Sequence, residues 1–387
     1  MRVAVIGLGG TGASAARFLA RSGHQVTGFE QFRIGHERAS SHGESRIIRY
    51  TYPDPLYTRL MGEAYPLWTE LEREAQERLL VRCGGLFLGP AWHPELEAIE
   101  GSLREAGHAY DILSAQASHA RFPALRLRRD EVAIFQADSG FLRATACVRA
   151  TARLARAHGA TILEGARVVE VGATGSCVKV RAQVGGRGVE HEFDAAIVTA
   201  GPWMRTLLAE AKLPLVVTRQ ELIYLRIARG ARDFEPDRLP VWIDAATYDY
   251  GFPSDGVVPG VKLGLHRRGE TVDPDAVRMT VDDEFIRRRL AYAAARLPDL
   301  AGEVTHAQVC LYTNTPDEDF IVDEAPGLPG VWLVSGCSGH GFKFTALLGK
   351  TAAELATGNC DRSSMLGELS RFSLDRFARP GPKGTPE

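Results

Sequence analysis

Four residues near the start of the chain have the types and spacing needed to bind a dinucleotide. Gly7, Gly9 and Gly12 form the pattern G-x-G-x-x-G, and Glu30 follows about 20 residues later. Glycines at this spacing let backbone N–H groups and a helix N-terminus approach a pyrophosphate. An acid at the distance of Glu30 can accept a hydrogen bond from a ribose hydroxyl. The pattern predicts a dinucleotide site without distinguishing FAD from NAD.

The elements around this pattern are those that a dinucleotide site requires. The segment begins with an apolar strand, continues through the glycine turn into a helix of small residues ending at Gly23, and closes with a second strand ending at Glu30. This order predicts a βαβ unit. The alternative for the glycine segment is a turn without a ligand, and its context favours the binding site.

Two later parts of the chain show different patterns. The stretch before Gly159 predicts a helix followed by paired strands, and "DAAIVTAGPW" predicts a buried strand running into a glycine turn. Both are typical of a return to the dinucleotide-binding domain. Residues 215 to 305 predict alternating strands and one long helix, which suit a separate antiparallel sheet. The predicted fold class is therefore α/β, or α+β overall, with a Rossmann-like domain and a second, mostly antiparallel domain.

Composition and charge exclude several classes of protein. The chain has 387 residues, of which 45% are hydrophobic, and a formal net charge of -2. This length allows two packed domains, and the charge predicts neither a nucleic acid nor an acidic membrane as the main partner. The apolar run at the N-terminus is too short to span a bilayer and leads into the glycine loop. We expect a cytoplasmic protein.

The cysteines indicate neither a metal site nor a disulfide framework. None belongs to a CxxC pair, and no histidine cluster accompanies them. By residue type alone, a cysteine in an apolar strand is a small buried hydrophobe. The six cysteines are Cys83, Cys147, Cys177, Cys310, Cys337 and Cys360.

Four separated motifs, in this order, resemble one known family. Together with the N-terminal loop, they are similar to the monomeric sarcosine oxidase and N-methyltryptophan oxidase family of FAD-dependent amine oxidases. The resemblance is collinear from residue 1 to about residue 377. The motifs are "SSHGESRIIRYTY" (40 to 52), "YGFPS" with "KLGLH" (250 to 266), "VCLYTNTPDEDF" (309 to 320) and "GCSGHGFKFT" (336 to 345).

The resemblance implies FAD as the cofactor, attached to the protein. Cys310 occupies the position at which this family carries its flavin as an 8α-S-cysteinyl thioether, and the alternative is an inert buried thiol. Ser40 and His42 match flavin-binding positions, and the position of Arg46 lies over the flavin ring in the family. Two residues depart from the family pattern, since Ser41 replaces a frequent histidine and Ser45 replaces a frequent threonine.

The resemblance also implies a substrate carboxylate site. Arg49 and Lys343 match the carboxylate-binding pair, in which arginine binds two oxygens and lysine supplies a point charge. Lys343 also contributes to the cofactor site, together with Gly339 and Gly341 at a helix start. Tyr312 lies two residues after Cys310 and is expected to face the substrate. For Arg49, the alternative is an ordinary surface salt bridge.

Three residues of the second domain complete the predicted catalytic set. Tyr250 and His266 match the family's active-site tyrosine and histidine, to which we assign positioning of the substrate amine rather than proton abstraction. Lys262 lies four residues before His266, so the two share a face of a regular strand. We interpret Lys262 as the residue that activates oxygen, because a fixed cation near a developing anion is worth about 4 kcal/mol.

The predicted function is the oxidation of a small secondary or N-methyl amino acid by hydride transfer to covalent FAD. The leading reaction converts sarcosine, O2 and water to glycine, formaldehyde and hydrogen peroxide, and the alternative substrates are N-methyltryptophan, L-proline and L-pipecolate. The expected partners are the amino acid and O2, and the family suggests a monomer. Two other functions remain open, namely an NAD(P)-dependent oxidoreductase and a non-catalytic flavin subunit.

The sequence patterns and the family resemblance together predict the domain boundaries. The FAD-binding domain is expected to be discontinuous, the substrate domain to be inserted into it, and the C-terminus to be a loose tail. The predicted ranges are 1–84, 139–214 and 306–377 for the FAD-binding domain, 85–138 and 215–305 for the substrate domain, and 378–387 for the tail.

Overall fold

The computed structural model describes residues 1–175, 177–359 and 370–378. The predictions that concern Cys360 and the tail from residue 379 onward lie outside the described residues.

The described residues form 20 strands and eight α-helices, joined by loops and short 3-10 turns. The strands are β1 (Arg2–Ile6), β2 (Gln25–Glu30), β3 (Arg46–Ile48), β4 (Leu80–Arg82), β5 (Gly85–Pro90), β6 (Asp111–Ser114), β7 (Glu131–Gln136), β8 (Gly140–Leu142), β9 (Thr161–Glu164), β10 (Ala166–Thr174), β11 (Cys177–Val184), β12 (Arg187–Phe193), β13 (Ala195–Val198), β14 (Val216–Ile227), β15 (Val241–Asp244), β16 (Asp249–Phe252), β17 (Val261–Leu265), β18 (Leu300–Asn314), β19 (Ile321–Glu324) and β20 (Val331–Ser335). The α-helices are α1 (Gly10–Arg21), α2 (Pro55–Ala75), α3 (Pro94–Glu105), α4 (Ala115–Arg121), α5 (Ala144–Ala157), α6 (Met204–Leu207), α7 (Asp283–Arg296) and α8 (Thr345–Thr357).

The chain divides into two compact units. The first unit consists of residues 1–42, 145–218 and 311–387, and the second consists of residues 43–144 and 219–310. The boundaries fall within β14 and β18, after the first residue of α5, and in the loop that precedes β3.

A six-stranded sheet in the order β19-β20-β13-β1-β2-β9 forms the centre of the first unit. β1, β2, β9, β13 and β20 are parallel to their neighbours, and β19 is antiparallel to β20. The inner strands are buried along almost their whole length, as expected where helices cover both faces of a parallel sheet. A separate antiparallel sheet, β10-β11-β12, packs its apolar side into the same core.

Helices α1 and α8 pack closely because small residues line their contact. A Cβ atom on Gly349 of α8 would lie 2.4 Å from the Ser14 Cβ of α1. Similarly, a Cβ on Gly10 would lie 2.9 Å from the Thr345 methyl group. The close packing holds the N-terminal turn of α1, which follows the glycine loop, firmly in the unit.

An eight-stranded sheet dominates the second unit, in the order β18-β14-β17-β16-β15-β5-β7-β6. From β14 to β6 the neighbouring strands are antiparallel, except for β15 with β5, which are parallel. Helix α7 packs against one face and is anchored there by a buried ionic network, in which Arg296 pairs with Glu131 and, at 2.8 Å, with Asp244. A small sheet, β3-β8-β4, belongs to the same unit.

The architecture confirms the predicted fold class, since a parallel nucleotide-type sheet and a mostly antiparallel sheet are both present. The predicted domain boundaries differ from the observed division in one large segment. Residues 43–84 group with the second unit rather than the first, because β3 and β4 pair with β8, and β5 pairs with β7 and β15. Short strands of this kind carry no sign of their pairing partner in their own sequence.

Within the described residues, no helix is long and apolar enough to cross a membrane.

Candidate active site

The glycine loop between β1 and α1 is formed by contacts that leave no room for side chains. Gly7 has φ = +85°, and a Cβ atom there would lie 2.7 Å from the carbonyl oxygen of Thr199. A Cβ on Gly12 would lie 1.9 Å from the Gly7 carbonyl oxygen. Thr199 Oγ1 also donates a hydrogen bond to this oxygen at 2.7 Å. Glycine is therefore required at Gly7 and Gly12, and the backbone itself forms the surface that a ligand meets.

The glycine loop opens on a cavity that other predicted cofactor residues also line. The cavity has a volume of about 380 Å³, and Gly7, Gly9, Glu30, Ser40 and Ser41 contribute to its walls. Gly9 is the N-cap residue of α1. Ser40 Oγ donates a hydrogen bond to the carbonyl oxygen of Leu311 at 2.5 Å, and Ser41 Oγ accepts one from Gly10 N–H at 3.2 Å. The loop and the helix N-terminus thus face an open space.

Glu30 lies buried at the end of β2. Its Oε2 accepts a hydrogen bond from Leu8 N–H, and its Oε1 accepts one from Phe32 N–H, both at 3.0 Å. Burial raises the pKa of the Glu30 carboxyl, and the backbone donors act in the opposite direction. The carboxylate ties the glycine loop to the end of β2, and its other lone pairs can still accept from a ligand.

Lys262 is fully buried on one face of the eight-stranded sheet in the second unit. Its Nζ donates hydrogen bonds to Ser45 O at 2.8 Å and to Ser45 Oγ at 3.2 Å, and it lies 4.4 Å from the ring centre of Phe252. Tyr224 and Phe252 are its direct neighbours on the two adjacent strands. The side chain therefore has oxygen acceptors for its protons, and no carboxylate forms an ion pair with it among the residues that the structure describes.

The environment of Lys262 disfavours its charge. Burial lowers the pKa of the ammonium group well below its usual value, and the nearby Arg46 guanidinium lowers it further. Arg46 itself donates to Ser45 O at 2.9 Å. Because Ser45 O accepts from both cations, this carbonyl joins two of the predicted catalytic residues.

Cys310 is buried in the same unit, near the same two cations. Burial raises the pKa of the thiol, while Arg46 and Lys262 act to lower it. A buried thiol is normally inert, and two positive neighbours favour the thiolate, the reactive form of cysteine.

Arg49 is held by aromatic faces rather than by an acid. Its guanidinium carbon lies 4.1 Å from the ring centre of Tyr52 and 5.5 Å from that of Phe87. Among the described residues no carboxylate forms an ion pair with Arg49, and burial lowers the pKa of its guanidinium. The predicted alternative, a surface salt bridge, is therefore wrong for this residue. A cation in this state lacks the anion that normally accompanies burial.

Tyr250 and His266 are both positioned by β17, one on the neighbouring strand and one at its end. Tyr250 is paired with Gly264, where a Cβ atom would lie 2.4 Å from the tyrosine hydroxyl oxygen. His266 directly follows β17, and its backbone N–H donates to Tyr248 O at 2.8 Å. Lys262 and Gly264 alternate in β17 and Tyr250 is paired with Gly264, so the side chains of Tyr250 and Lys262 share one face of the sheet, and His266 follows β17 at the next alternate position.

The remaining predicted residues belong to the first unit. The ring of Tyr312 covers Gly339, at which a Cβ would lie 2.2 Å from the ring, and Cys337 similarly covers Gly341. Lys343 is buried in a 3-10 turn that leads into α8, and its Nζ donates to His340 O at 2.7 Å. His42 is fully buried. None of the described residues forms a cluster of His, Cys, Asp or Glu suited to a metal ion.

The site contains several residues that the sequence did not single out. Tyr224 contacts the Ser45 hydroxyl by a hydrogen bond, and burial raises the pKa of its phenol to about 12. Thr199 donates a hydrogen bond to the glycine loop, and the rings of Tyr52 and Phe87 contact Arg49. Tyr52 lies inside a recognised motif and could have been found there. Nothing local distinguishes the other three from ordinary core residues.

Comparison with known proteins assigns the chain to a family. Residues 2–355 match the model of a protein family described as "FAD dependent oxidoreductase". The chain belongs to the FAD-dependent oxidoreductase family. It is 34% identical over 365 residues to the monomeric sarcosine oxidase of Streptomyces avermitilis, a match that covers 92% of this chain and 93% of that protein. It is 31% identical over 381 residues to the N-methyl-L-tryptophan oxidase of Salmonella dublin, covering 97% and 98% of the two chains.

A solved structure supports the fold of this FAD-dependent oxidoreductase. The open form of NikD, described as an unusual amino acid oxidase essential for nikkomycin biosynthesis, superposes with a TM-score of 0.82. It is 24% identical and covers 96% of each chain. Together with the two relatives, these matches confirm the family resemblance and the enzyme class predicted from the four motifs.

The residues around the glycine loop fit FAD. The loop has no side chain at Gly7 or Gly12, it opens on a cavity at a helix N-terminus, and Glu30 is buried beside it. These are the features by which a βαβ unit binds the pyrophosphate and ribose of a dinucleotide. Gly7, Gly9, Gly12, Glu30 and Ser40 would hold that part of the cofactor.

Replacement of Gly7 by alanine should abolish FAD binding. The new Cβ would press on Thr199 O and strain a left-handed residue, so the loop would have to move. We expect the FAD content of purified Gly7→Ala to fall at least about tenfold, measured by flavin absorbance per protein, because the loop must approach the pyrophosphate closely. Gly23→Ala is the control, since Gly23 also has positive φ but no atom within 4 Å of the added methyl. Equal FAD content in both variants would contradict the role of the loop.

Proposed function

We propose that this protein is an FAD-dependent oxidase of small secondary or N-methyl amino acids. Sarcosine is the leading substrate, with O2 and water converted to glycine, formaldehyde and hydrogen peroxide. N-methyltryptophan, L-proline and L-pipecolate are the alternative substrates of the same chemistry. The names of the two relatives support this class of substrate, and the state of Arg49 is the observation that carries it.

Arg49 supports an anionic substrate because it forms no ion pair with a carboxylate among the described residues. The guanidinium lies against Tyr52 and Phe87. A half-buried guanidinium without an ion pair is costly unless a ligand supplies the negative charge. A substrate carboxylate can accept two parallel hydrogen bonds from a guanidinium, which fixes both its position and its orientation. We assign the same carboxylate to Lys343.

Lys262 is assigned to oxygen. When bound, FAD accepts a hydride from the amino acid and passes the electrons to O2. Reduction of O2 creates negative charge and consumes protons. Lys262 can stabilise the charge and exchange the protons. Its Nζ is held in place by Ser45, and its lowered pKa lets the ammonium group give up a proton and recover it.

The other assigned residues position the reactants. We assign Arg46 to the flavin ring, and Tyr250, His266 and Tyr312 to the amine and the rest of the substrate. Tyr250 and His266 lie on the sheet face that carries Lys262, which supports a shared role. Oxidation needs a neutral amine, and hydrogen bonds from a tyrosine and a histidine can hold it in that form.

The proposal also covers the attachment of FAD, the oligomeric state and the location of the protein. We propose that Cys310 carries FAD as a thioether and that His42, Gly339 and Gly341 contribute to the cofactor site. Arg46 and Lys262 near the thiol support the attachment, because they favour the thiolate. We also propose a monomer that acts in the cytoplasm on a small molecule.

The function is tested by peroxide release. We expect the purified protein to release hydrogen peroxide and formaldehyde from sarcosine, or peroxide from one of the three alternative substrates. Loss of one cation from a buried pair costs about 3 to 5 kcal/mol, so Arg49→Leu should raise KM by about 100- to 1000-fold. Arg59→Leu, which changes an exposed arginine of α2, should keep the wild-type KM. A yellow protein that releases no peroxide would be a flavin subunit without catalysis, and a colourless protein would indicate nicotinamide chemistry.

The flavin attachment is tested by acid precipitation. Yellow colour should stay in the pellet of the wild-type protein, because a thioether survives denaturation. In Cys310→Ser the colour should move to the supernatant or be absent. Cys147→Ser, at another buried cysteine, should keep its colour in the pellet. Covalent flavin in Cys310→Ser would exclude Cys310 as the attachment point.

The oxygen role is tested by separating the two half-reactions in stopped-flow experiments. Lys262→Met should slow reoxidation of the reduced flavin by O2 by about a thousandfold, since about 4 kcal/mol of charge stabilisation is lost. Reduction by the amino acid should change far less. Lys343→Met, at the other buried lysine, should show the reverse pattern. Equal effects of Lys262→Met on both half-reactions would refute the assignment.

A further inference from the structure

Glu95 is a carboxylate without a use in the proposed reaction. It lies in the first turn of α3, a helix that residues 91 to 93 connect to β5. Its Oε2 is completely buried, and no described residue donates a hydrogen bond to it. A buried carboxylate oxygen without a donor is costly and therefore needs an explanation.

Arg49 is the charged group that faces Glu95. The two side chains interact electrostatically, each favouring the charged form of the other, yet they do not form an ion pair. Arg49 is held by Tyr52 and Phe87, and Glu95 is held by the helix whose N-cap is His93. A cation and an anion are therefore held near each other in a desolvated place without touching. A ligand that carries both an acceptor and a donor would satisfy both groups.

The reacting amine is a poor choice for this donor. A carboxylate beside the amine would stabilise its protonated form, and a protonated amine cannot give up a hydride from the adjacent carbon. The donor must therefore lie elsewhere on the same molecule. A side chain that extends from the amino acid past Arg49 can carry it.

We propose that Glu95 is a specificity residue that accepts a hydrogen bond from an O–H or N–H group on the substrate side chain. Within the proposed substrate class, amino acids whose side chain carries a hydrogen-bond donor are then preferred over those without one, and sarcosine, which has no side chain, is oxidised without this contact. This inference rests on the proposed function, because it takes the substrate carboxylate to lie on Arg49.

Two matched substrates test the inference without any mutation. N-methylserine and N-methyl-2-aminobutyrate differ only in a hydroxyl that replaces a methyl group. Because a hydrogen bond to a buried charge is lost with the second compound, wild-type kcat/KM should favour N-methylserine by about 10- to 100-fold. Equal values for the two substrates would overturn the inference.

Variants then assign the preference to Glu95. Glu95→Gln should reduce the preference about tenfold, because it keeps an acceptor without the charge, and Glu95→Leu should abolish it. Glu97→Gln, at an exposed glutamate in the same helical turn, should leave it unchanged. Using the ratio of the two substrates cancels any effect that reaches both through Arg49. If Glu95→Gln changes both substrates equally, Glu95 acts only on Arg49 and the inference fails.

Binding provides a readout that does not depend on turnover. Thioether analogues, in which sulfur replaces the amine nitrogen of the two substrates, cannot be oxidised to an imine. Their dissociation constants, measured by titration calorimetry, should show the same preference and the same loss in Glu95→Leu. If no secondary amino acid gives peroxide, the proposed function fails, and the binding ratio alone decides whether Glu95 recognises the side-chain donor. Equal affinities for the two analogues would then reject the inference.

Discussion

The candidate site depends on positive side chains that form no ion pair with a carboxylate among the residues that the structure describes. Within those residues, Lys262 Nζ donates hydrogen bonds only to oxygen atoms of Ser45 and lies over Phe252, and Arg49 lies against the rings of Tyr52 and Phe87. Each cation loses hydration that the protein replaces only in part. Aromatic faces attract cations, and this attraction offsets part of the lost hydration. The remaining need for negative charge is what a carboxylate substrate, a reduced cofactor or reduced oxygen can satisfy.

The eight-stranded sheet separates the neutralised charges of the core from the cation of the candidate site. One face packs against α7, where Arg296 is neutralised by Glu131 and Asp244. The other face carries Lys262, Tyr250 and Phe252 in alternation. The period of two in a strand assigns neighbouring residues to opposite faces, so the core and the site can be built from the same strands.

Local signals predicted much of the molecule. The glycine spacing and the apolar strands around it indicated the βαβ unit, because each of those features is decided by neighbours within a few residues. The helix that ends before Gly159 and the long helix before Leu297 were also predicted from periodicity. The assignment of residues 43–84 to the second unit was not predicted, because it depends on the pairing of β3 and β4 with β8, which are far apart in sequence. Short strands contain too few residues to specify a distant partner.

The sequence by itself determined the family, the cofactor class and the identities of the residues that could do the chemistry, since these lie in short motifs whose spacing is visible in the chain. Only the tertiary structure decided the state of each residue. It placed Lys262 on Ser45, left Arg49 without an ion pair among the described residues, and buried an oxygen of Glu95 without a hydrogen-bond donor. Desolvation and charge pairing are properties of the space around a side chain. That space is formed by segments that are distant in sequence, so no local pattern records it.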